Sequence, residues 1–333
     1  MAIRVAINGF GRIGRQVFKA GFENKKIEFV ALNDLGDAEN LAYLLKHDSV
    51  YGVWPHDVSA KNGALVVDGV TIPVVQEKDP AQLPWKKFEV DVVIESTGRF
   101  TDLEGLQKHI SAGAGAAILS APAKGGDVPT FVRGVNDEKL GRTKIFNNAS
   151  CTTNCVAPVT SVLHEKFGIA KAAMTTIHSY TADQALVDGP HKDFRRGRAA
   201  ALNMVPTTTG AAIAVTETIT ELKGLFDGIS IRVPTPVGSL SDFCFITKTK
   251  TTVTEVNAAL VAASKLTRWK GILVCSEEAL VSHDVVGNTA SCIVDLAFTQ
   301  VIDGDLVKIL AWYDNEWGYS HRLVEMIEKV GKK

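Results

Sequence analysis

Ser150-Cys151-Thr152-Thr153-Asn154-Cys155 carries two thiols where a strand-like segment, Thr143–Phe146, gives way to an apolar stripe at helical spacing. Val156, Val159, Val162, Leu163 and Phe167 make that stripe. Cys151 is therefore expected at a helix N-terminus, where the dipole favours the thiolate, the form that attacks carbonyl carbon. Cys155, one turn later, is expected to face the core. His178 closes another strand-like run, Met174-Thr175-Thr176-Ile177-His178. Beside Cys151 it would hold the thiolate and move a substrate proton. Spacing does not show that meeting, and from position alone two unreactive core cysteines are an equal reading. The Cys151-x-x-x-Cys155 pair lacks the further ligands a metal needs, so no metal is expected. Its spacing also departs from the x₂ of thiol–disulfide proteins.

Two further clusters suit anions. Arg195-Arg196-Gly197-Arg198 gathers three guanidinium groups, and Pro206-Thr207-Thr208-Thr209-Gly210 supplies hydroxyls and a flexible backbone before Ala211–Val215. Arg232 adds another fork at a strand end. Arginine forks and open N–H groups fit phosphate. The Arg195 group taken alone reads equally well as a solvated basic face. The remaining histidines, from His47 to His321, have surroundings that assign them no role.

Gly9-Phe10-Gly11-Arg12-Ile13-Gly14 directly follows a strand-like run, Ile3–Asn8, and opens a helical one, Arg12–Asn24. Glycine serves three needs in such a loop: a tight turn, close backbone approach to a pyrophosphate, and contact between helix and sheet without a Cβ. The N–H groups at the helix start then hold the phosphates. Asp34 ends the next strand-like run 20 residues beyond Gly14. There a carboxylate accepts from a ribose 2′-OH and repels a 2′-phosphate. With strand, helix and acid all in place, the loop reads as a dinucleotide site that favours NAD over NADP.

The chain that must position these groups has 333 residues, which predicts two domains. Strand-like and helical runs alternate through the first half: Glu28–Asn33, Ala38–Leu45, a hairpin of Ala64–Val67 with Thr71–Val75, Val90–Ser96, Leu103–Ile110 and Ala116–Ser120. That alternation predicts a doubly wound parallel sheet, an α/β class. After Cys151 come β-branched runs, Ala172–His178, Gly228–Val233, Asp242–Lys248, Ala290–Ile293 and Val307–Trp312, with a helix over Val253–Leu266. These predict an α+β second domain with a mixed sheet, and Glu316–Val330 reads as a closing amphipathic helix.

Lys and Arg number 36 against 37 Asp and Glu, a balance that argues against a dedicated nucleic-acid surface. No stretch approaches the roughly 20 apolar residues of a membrane span. Met1–Val5 shows no signal-peptide pattern, and five cysteines are an odd, sparse set. A cytoplasmic protein with free thiols is the expectation, and Lys332-Lys333 is expected to be a solvated tail.

Ala149-Ser150-Cys151-Thr152-Thr153-Asn154-Cys155, Ile7–Gly14, Thr207–Ala212, Arg232-Val233-Pro234-Thr235-Pro236 and Trp312-Tyr313-Asp314-Asn315-Glu316 occur in the order found in phosphorylating glyceraldehyde-3-phosphate dehydrogenases, which the chain resembles from Ile3 to about Ile327. The resemblance implies an NAD-binding Rossmann domain over 1–150 and a catalytic domain over 151–315. The final helix, 316–333, would return to the first. It implies a cytoplasmic homotetramer acting on glyceraldehyde 3-phosphate and inorganic phosphate. Cys151 would be the nucleophile and His178 its base. Gly9, Gly11, Arg12, Ile13, Gly14, Asp34, Lys78, Ser120 and Asn315 would bind NAD, Asn315 through the nicotinamide carboxamide. Ser150, Thr152, Thr209 and Gly210 would line one phosphate site, and Thr181 and Arg232 the other. The pattern matches on both Arg196 and Arg198 for a further phosphate contact. Val237-Gly238-Ser239-Leu240-Ser241 departs from the Asn-Val-Ser-Val-Val often found there, beside an expected subunit contact. The alternatives are erythrose-4-phosphate dehydrogenase, against which Thr208-Thr209-Gly210 argues, and a non-catalytic NAD-binding redox sensor.

Overall fold

The computed structural model describes residues 1–125 and 127–331; the expected basic tail, Lys332-Lys333, lies outside the described residues. Two compact units emerge. One comprises Met1–Phe131, Leu140–Ala149 and the chain from Ser320 onward; the other comprises Val132–Lys139 and Ser150–Tyr319.

The first unit runs β1 (Ile3–Asn8), α1 (Arg12–Phe22), β2 (Ile27–Asn33), α2 (Ala38–Lys46), β3 (His47–Asp48), β4 (Gly52–Val53), β5 (Val58–Lys61), β6 (Ala64–Val67), β7 (Val70–Val75), β8 (Val92–Glu95), α3 (Leu103–Ser111), β9 (Ala116–Leu119) and β10 (Ile145–Asn147). Eight of these strands form one sheet in the order β10-β9-β8-β1-β2-β7-β6-β5. Its six strands from β10 to β7 are parallel, and β6 and β5 extend it as antiparallel hairpins. Every residue of β8 and β9 is buried, which explains why these strands read as unbroken apolar runs rather than alternating ones. The strand order reverses at β1, flanked by β2 on one side and β8 on the other. Ligands of doubly wound sheets bind at that switch, beyond the carboxyl ends of the strands. Asn8 pairs in register with both Asn33 and Glu95, so three polar residues end three adjacent strands there.

The second unit contains α4 (Cys151–Phe167), β11 (Ile169–Ser179), β12 (Val205–Thr208), α5 (Ala211–Thr218), β13 (Phe226–Val233), β14 (Ser239–Thr247), α6 (Val253–Ser264), β15 (Leu273–Ser276), β16 (Cys292–Ile302) and β17 (Leu306–Tyr313). A seven-stranded mixed sheet takes the order β12-β13-β11-β14-β17-β16-β15, with β11/β13 and β15/β16 parallel. Burial alternates strictly along β14 and β17, so one face of the sheet is covered, and α4 packs against both strands. The last helix, α7 (Trp317–Gly331), leaves this unit after Tyr319. Its Glu328 takes hydrogen bonds from Asn24 Nδ2 and Lys26 Nζ, each at 2.8 Å.

α4 begins at Cys151, the helix N-terminus expected of it, and Ser150 caps it by accepting from the Thr153 N–H. Two other elements differ from the sequence expectation for identifiable reasons. β16 runs to Ile302, well past Ile293; a register shift between Asp295 and Gln300 breaks the alternation that marks a strand. Val205–Thr208, read as flexible backbone, is an edge strand, where Pro206 is tolerated.

Candidate active site and dinucleotide cleft

In the first unit a cleft of about 280 Å³ opens at the carboxyl ends of β1, β2 and β8, lined among others by Gly9, Gly11, Asp34 and Lys78. Gly9 has φ +92°, and a Cβ there would lie 2.6 Å from the Thr97 backbone nitrogen. A Cβ on Gly14 would lie 2.2 Å from the Gly9 carbonyl oxygen, whereas one on Gly11 would meet nothing within 4 Å. Two of the glycines thus close the turn, and the third leaves open space at the start of α1. That is a cradle fitted to a pyrophosphate. Asp34 is held by the Phe10 N–H at 2.8 Å on one oxygen and the Gly36 N–H at 2.9 Å on the other. Its carboxylate is locked in place as an acceptor.

The other expected cofactor residues are placed as follows. Ile13 is half-buried in the first turn of α1. Arg12 donates to Asp48 at 2.8 Å and lies over the Tyr51 ring, so its guanidinium is anchored beside the loop. Lys78 is exposed at the cleft. Ser120 follows β9, with its N–H on the Glu95 carbonyl at 3.0 Å. Asn8, Asn33, Glu77, Ser96 and Thr97 also line the cleft, although sequence reasoning had not singled them out. The signal was present: Asn8, Asn33 and Glu95 each directly follow at least three apolar residues, Val5–Ile7, Phe29–Leu32 and Val92–Ile94.

In the second unit Cys151 Sγ and His178 Nε2 are 3.4 Å apart. β10 ends at Asn147, and the left-handed Ala149, φ +54°, turns the chain before α4. An L-residue held there costs about 1–2 kcal/mol, a strain maintained by its surroundings. Ala149 is fully buried and its N–H donates to Asn147 Oδ1 at 3.0 Å. Cys151 is then the first helical residue, and the N–H groups of Cys151 and Thr152 face its sulfur. His178 and Arg232 are register partners on the parallel strands β11 and β13, which brings the arginine beside the imidazole.

The imidazole tautomer follows from its neighbours. His178 Nδ1 lies 2.7 Å from the Ser179 carbonyl, an acceptor only, so Nδ1 carries the proton and Nε2 faces the sulfur as a base. Arg232 Nη1 also lies 3.1 Å from Nδ1, but with that nitrogen protonated the guanidinium donates instead to Ser179 O and Thr181 Oγ1, both at 3.3 Å. Burial pushes the Cys151 thiol up while Arg232 pulls it down; burial, then Arg232, pushes His178 down to about 3. Burial opposes either charge alone. Passing the proton from Sγ to Nε2 leaves the pair's net charge unchanged and avoids most of that cost. Arg232 and the helix N-terminus support the sulfur anion, the latter by about 0.3–1 kcal/mol.

Of the phosphate candidates, Arg232 stands beside this pair, with the Thr181 hydroxyl on its guanidinium. Burial pulls the Arg232 guanidinium below its ordinary value, with Arg196 close enough to add repulsion. Arg196 donates to Thr207 Oγ1 at 2.9 Å, to the Thr208 carbonyl at 3.2 Å and to Asp183 at 2.5 Å. Arg198, by contrast, forms an exposed pair with Asp188 at 2.9 Å. Thr209 accepts from the Ala211 N–H, and Gly210 caps α5 with open space where a side chain would stand. The Ser150 hydroxyl is engaged as the cap of α4, and the Thr152 hydroxyl is buried on Tyr313 OH at 3.0 Å. What these two residues offer an anion is therefore the N–H end of the helix.

Comparison with known proteins agrees over the whole length. The chain matches the family description "Glyceraldehyde 3-phosphate dehydrogenase, NAD binding domain" over residues 3–103 and the corresponding C-terminal domain over 150–315. It is 53% identical to glyceraldehyde-3-phosphate dehydrogenase of Geobacillus stearothermophilus, covering 100% of this chain and 99% of the relative. It is 51% identical to the enzyme of the same name from Streptomyces coelicolor, covering 100% of both, and 51% identical to glyceraldehyde-3-phosphate dehydrogenase 1 of Bacillus subtilis, covering 100% and 99%. The chain belongs to the glyceraldehyde-3-phosphate dehydrogenase family.

Within the family's C-terminal domain, two positions gain meaning from the coordinates. Tyr313 OH bridges the hydroxyls of Thr152 and Thr176, at 3.0 and 2.8 Å, tying the first turn of α4 to β11 under the thiol. Asn315 Oδ1 receives Ser179 Oγ, Ser239 Oγ and the Gly238 N–H at 2.9, 3.0 and 3.2 Å. With its oxygen saturated, the amide nitrogen is left as the group Asn315 presents. Gly238 and Ser239 lie in the segment expected to concern a subunit contact, so that departure also reaches a site residue. Cys155 is fully buried, as expected.

Proposed function

We propose that the chain is an NAD-dependent phosphorylating glyceraldehyde-3-phosphate dehydrogenase, with Cys151 as nucleophile and His178 as its acid–base partner. The observation that carries the residue roles is the 3.4 Å approach of Cys151 Sγ to an imidazole nitrogen free to act as a base. Gly9, Gly11 and Gly14 give the pyrophosphate its cradle, Asp34 takes the ribose hydroxyls, and Arg12, Ile13, Lys78 and Ser120 complete the NAD contacts. Asn315 offers its amide nitrogen to the nicotinamide carboxamide. When bound, NAD supplies the hydride acceptor.

The Cys151 thiolate, its proton on His178 Nε2, adds to the aldehyde carbon of glyceraldehyde 3-phosphate. His178 returns the proton to the new oxyanion, giving a thiohemiacetal, and takes it back as hydride departs, leaving a thioester on Cys151. Inorganic phosphate attacks the thioester carbonyl and loses its proton to solvent, and the sulfur leaves as thiolate beside the imidazolium. The products are 1,3-bisphosphoglycerate and NADH. Positioned proton transfer of this kind contributes roughly 10²–10⁴-fold. Two anion sites are needed because substrate and attacking phosphate must be held together. Thr181 and Arg232 make one; Thr209, Gly210 and the N–H groups at Ser150–Thr152 make the other. Arg196, semi-buried among Thr207, Thr208 and Asp183, is the arginine shared with them, and Arg198 is not.

Absorbance at the NADH band, with phosphate omitted and restored, tests the reaction. Sustained NADH formation from glyceraldehyde 3-phosphate must require phosphate. Cys151→Ser must abolish it while NAD binding by calorimetry changes less than about twofold; retained turnover removes the cysteine from its role.

Among the described residues no helix is long and apolar enough to cross a membrane, and the proposal places the protein in the cytoplasm. Large apolar side chains stand exposed between Leu186 and Met204, with Phe194 at 89%. A soluble monomer seldom exposes such a stretch, which supports a homotetramer in which copies of this chain cover it. Sedimentation equilibrium checks the subunit number.

A further inference from the structure

Glu95 is fully buried at the end of β8. One carboxylate oxygen receives Asn8 Nδ2 at 2.5 Å and His109 Nε2 at 3.0 Å; the other receives the Thr97 N–H at 2.8 Å and the Thr97 hydroxyl at 2.5 Å. The direction of every bond is fixed from the far ends. Trp85 Nε1 donates to His109 Nδ1 at 3.0 Å, and an indole N–H only donates, so the His109 proton sits on Nε2 and points at Glu95. On the other side the Glu77 N–H donates to Asn33 Oδ1 at 2.9 Å, which turns Asn33 Nδ2 toward Asn8 Oδ1 at 2.6 Å and Asn8 Nδ2 toward the carboxylate. Donors converge on Glu95 from all sides.

Burying a carboxylate is costly, and stability alone would be served as well by apolar packing. What the network fixes is the wall of the dinucleotide cleft. Asn8, Asn33, Glu77 and Thr97 all line it. The turn after Glu95 is seated on the glycine loop: Ser96 Oγ donates to the Gly9 carbonyl at 2.7 Å, and the Thr97 nitrogen occupies the space a Cβ on Gly9 would need.

We propose that Glu95, oriented by His109 and Trp85, is a positioning residue for the dinucleotide, and that its charge is required as well as its shape. The carboxylate clamps the Ser96-Thr97 turn against the glycine loop and sets the amide orientations of Asn8 and Asn33. The inference rests on the NAD reading of the same cleft. Glu95→Gln is nearly isosteric, but its NH₂ must face either Asn8 Nδ2 and the His109 Nε2–H or the Thr97 N–H. None of these donors can reverse: Glu77 and Trp85 fix the first two, and a backbone N–H only donates.

The test is calorimetric NAD titration of wild type and E95Q, with steady-state kinetics in both substrates. Expected for E95Q is at least a tenfold rise in Kd and KM for NAD, with kcat and KM for the aldehyde within twofold. A merely structural role would disturb both KM values together, and that result overturns the proposal, as does a folded E95Q with unaltered NAD affinity. If wild type itself takes up no NAD, the cofactor reading and the inference fall together; uptake by wild type and equally by E95Q removes the inference alone. Should E95Q not fold, Trp85→Phe carries the test: it leaves the carboxylate and removes the N–H that fixes the His109 tautomer, and because Trp85 is fully buried a thermal melt is read beside the titration. NAD Kd must then rise at least threefold, and an unchanged value overturns the proposal.

Discussion

At the dinucleotide cleft the decisive atoms belong to the backbone: the turn of Gly9, the open start of α1 at Gly11, and the N–H groups that hold Asp34. At the thiol site they belong to side chains from well-separated strands and one helix end. Cys151 and His178 are 27 residues apart, His178 and Arg232 are 54 apart, and Thr152 meets Tyr313 across 161. The first construction rests on steric exclusion by backbone; the second is assembled by sheet register and rests on electrostatics in a buried place. Substitutions should therefore fail in different ways: in affinity and fold at the cleft, in chemistry and titration at the thiol.

The largest effect tests the second half of that contrast. His178→Asn should lower kcat by roughly 10²–10⁴-fold and leave NAD affinity unchanged. It should also change how Cys151 meets an alkylating reagent. With His178 present, the thiol proton has an acceptor 3.4 Å away. Without it, burial on the thiol is opposed only by Arg232, the Thr152 side chain and the helix start, and burial is the largest influence, directed upward. The midpoint of the iodoacetamide rate against pH should move up in the variant, with slower alkylation at pH 7, because the thiolate is the nucleophile. Identical profiles in the two proteins would show that the imidazole does not hold the sulfur's proton.

That division also explains what could be read from residues alone. The glycine loop was legible because most of its constraints lie close in sequence: Gly14 must pack on the Gly9 carbonyl, and Asp34 directly follows the next strand, while only the Thr97 backbone against Gly9 comes from afar. The parallel sheet was legible because β8 and β9 are buried on both faces and read as apolar runs. The thiol site was legible only as chemical types. Nothing near Cys151 or His178 in sequence states that β11 and β13 pair with His178 opposite Arg232. Tyr313 has no task legible within Trp312–Glu316, because its partners Thr152 and Thr176 come from other elements. His109 went unassigned for the same reason, its meaning set by Trp85 and Glu95.

The next effect separates the two jobs of glycine inside the cleft. Gly9→Ala forces a Cβ to 2.6 Å from the Thr97 backbone in a left-handed conformation, so stability should fall by about 1–3 kcal/mol and NAD affinity with it. Gly11→Ala meets no atom within 4 Å. As the N-cap position, it should cost no more than about 1 kcal/mol of stability, yet NAD Kd should rise tenfold or more because the added methyl occupies space meant for phosphate. Thermal melts beside calorimetric titration measure both. Equal losses of stability in the two variants would mean that Gly11 is structural and the open space has no tenant.

The smallest effect is the most discriminating for the anion sites. Arg196 and Arg198 are two residues apart and chemically identical, so only their surroundings distinguish them. Arg196 is held by Thr207, Thr208 and Asp183, and its charge is felt at Arg232. Arg198 reaches outward to Asp188, with both side chains more than half exposed. An exposed pair of that kind adds little, and among the described residues Arg198 makes no hydrogen bond to a group of the thiol site. Arg198→Ala should therefore leave KM for inorganic phosphate and for the aldehyde within twofold. Arg196→Ala should raise at least one of them tenfold or more, since removing a charge-assisted donor from a semi-buried anion site leaves the anion poorly paired. Steady-state kinetics with phosphate and aldehyde varied in turn would decide the point. A reversed ranking would mean that the loop carrying both arginines rearranges when phosphate binds, and that the bonds from Arg196 to Thr207 and Thr208 belong to a resting arrangement.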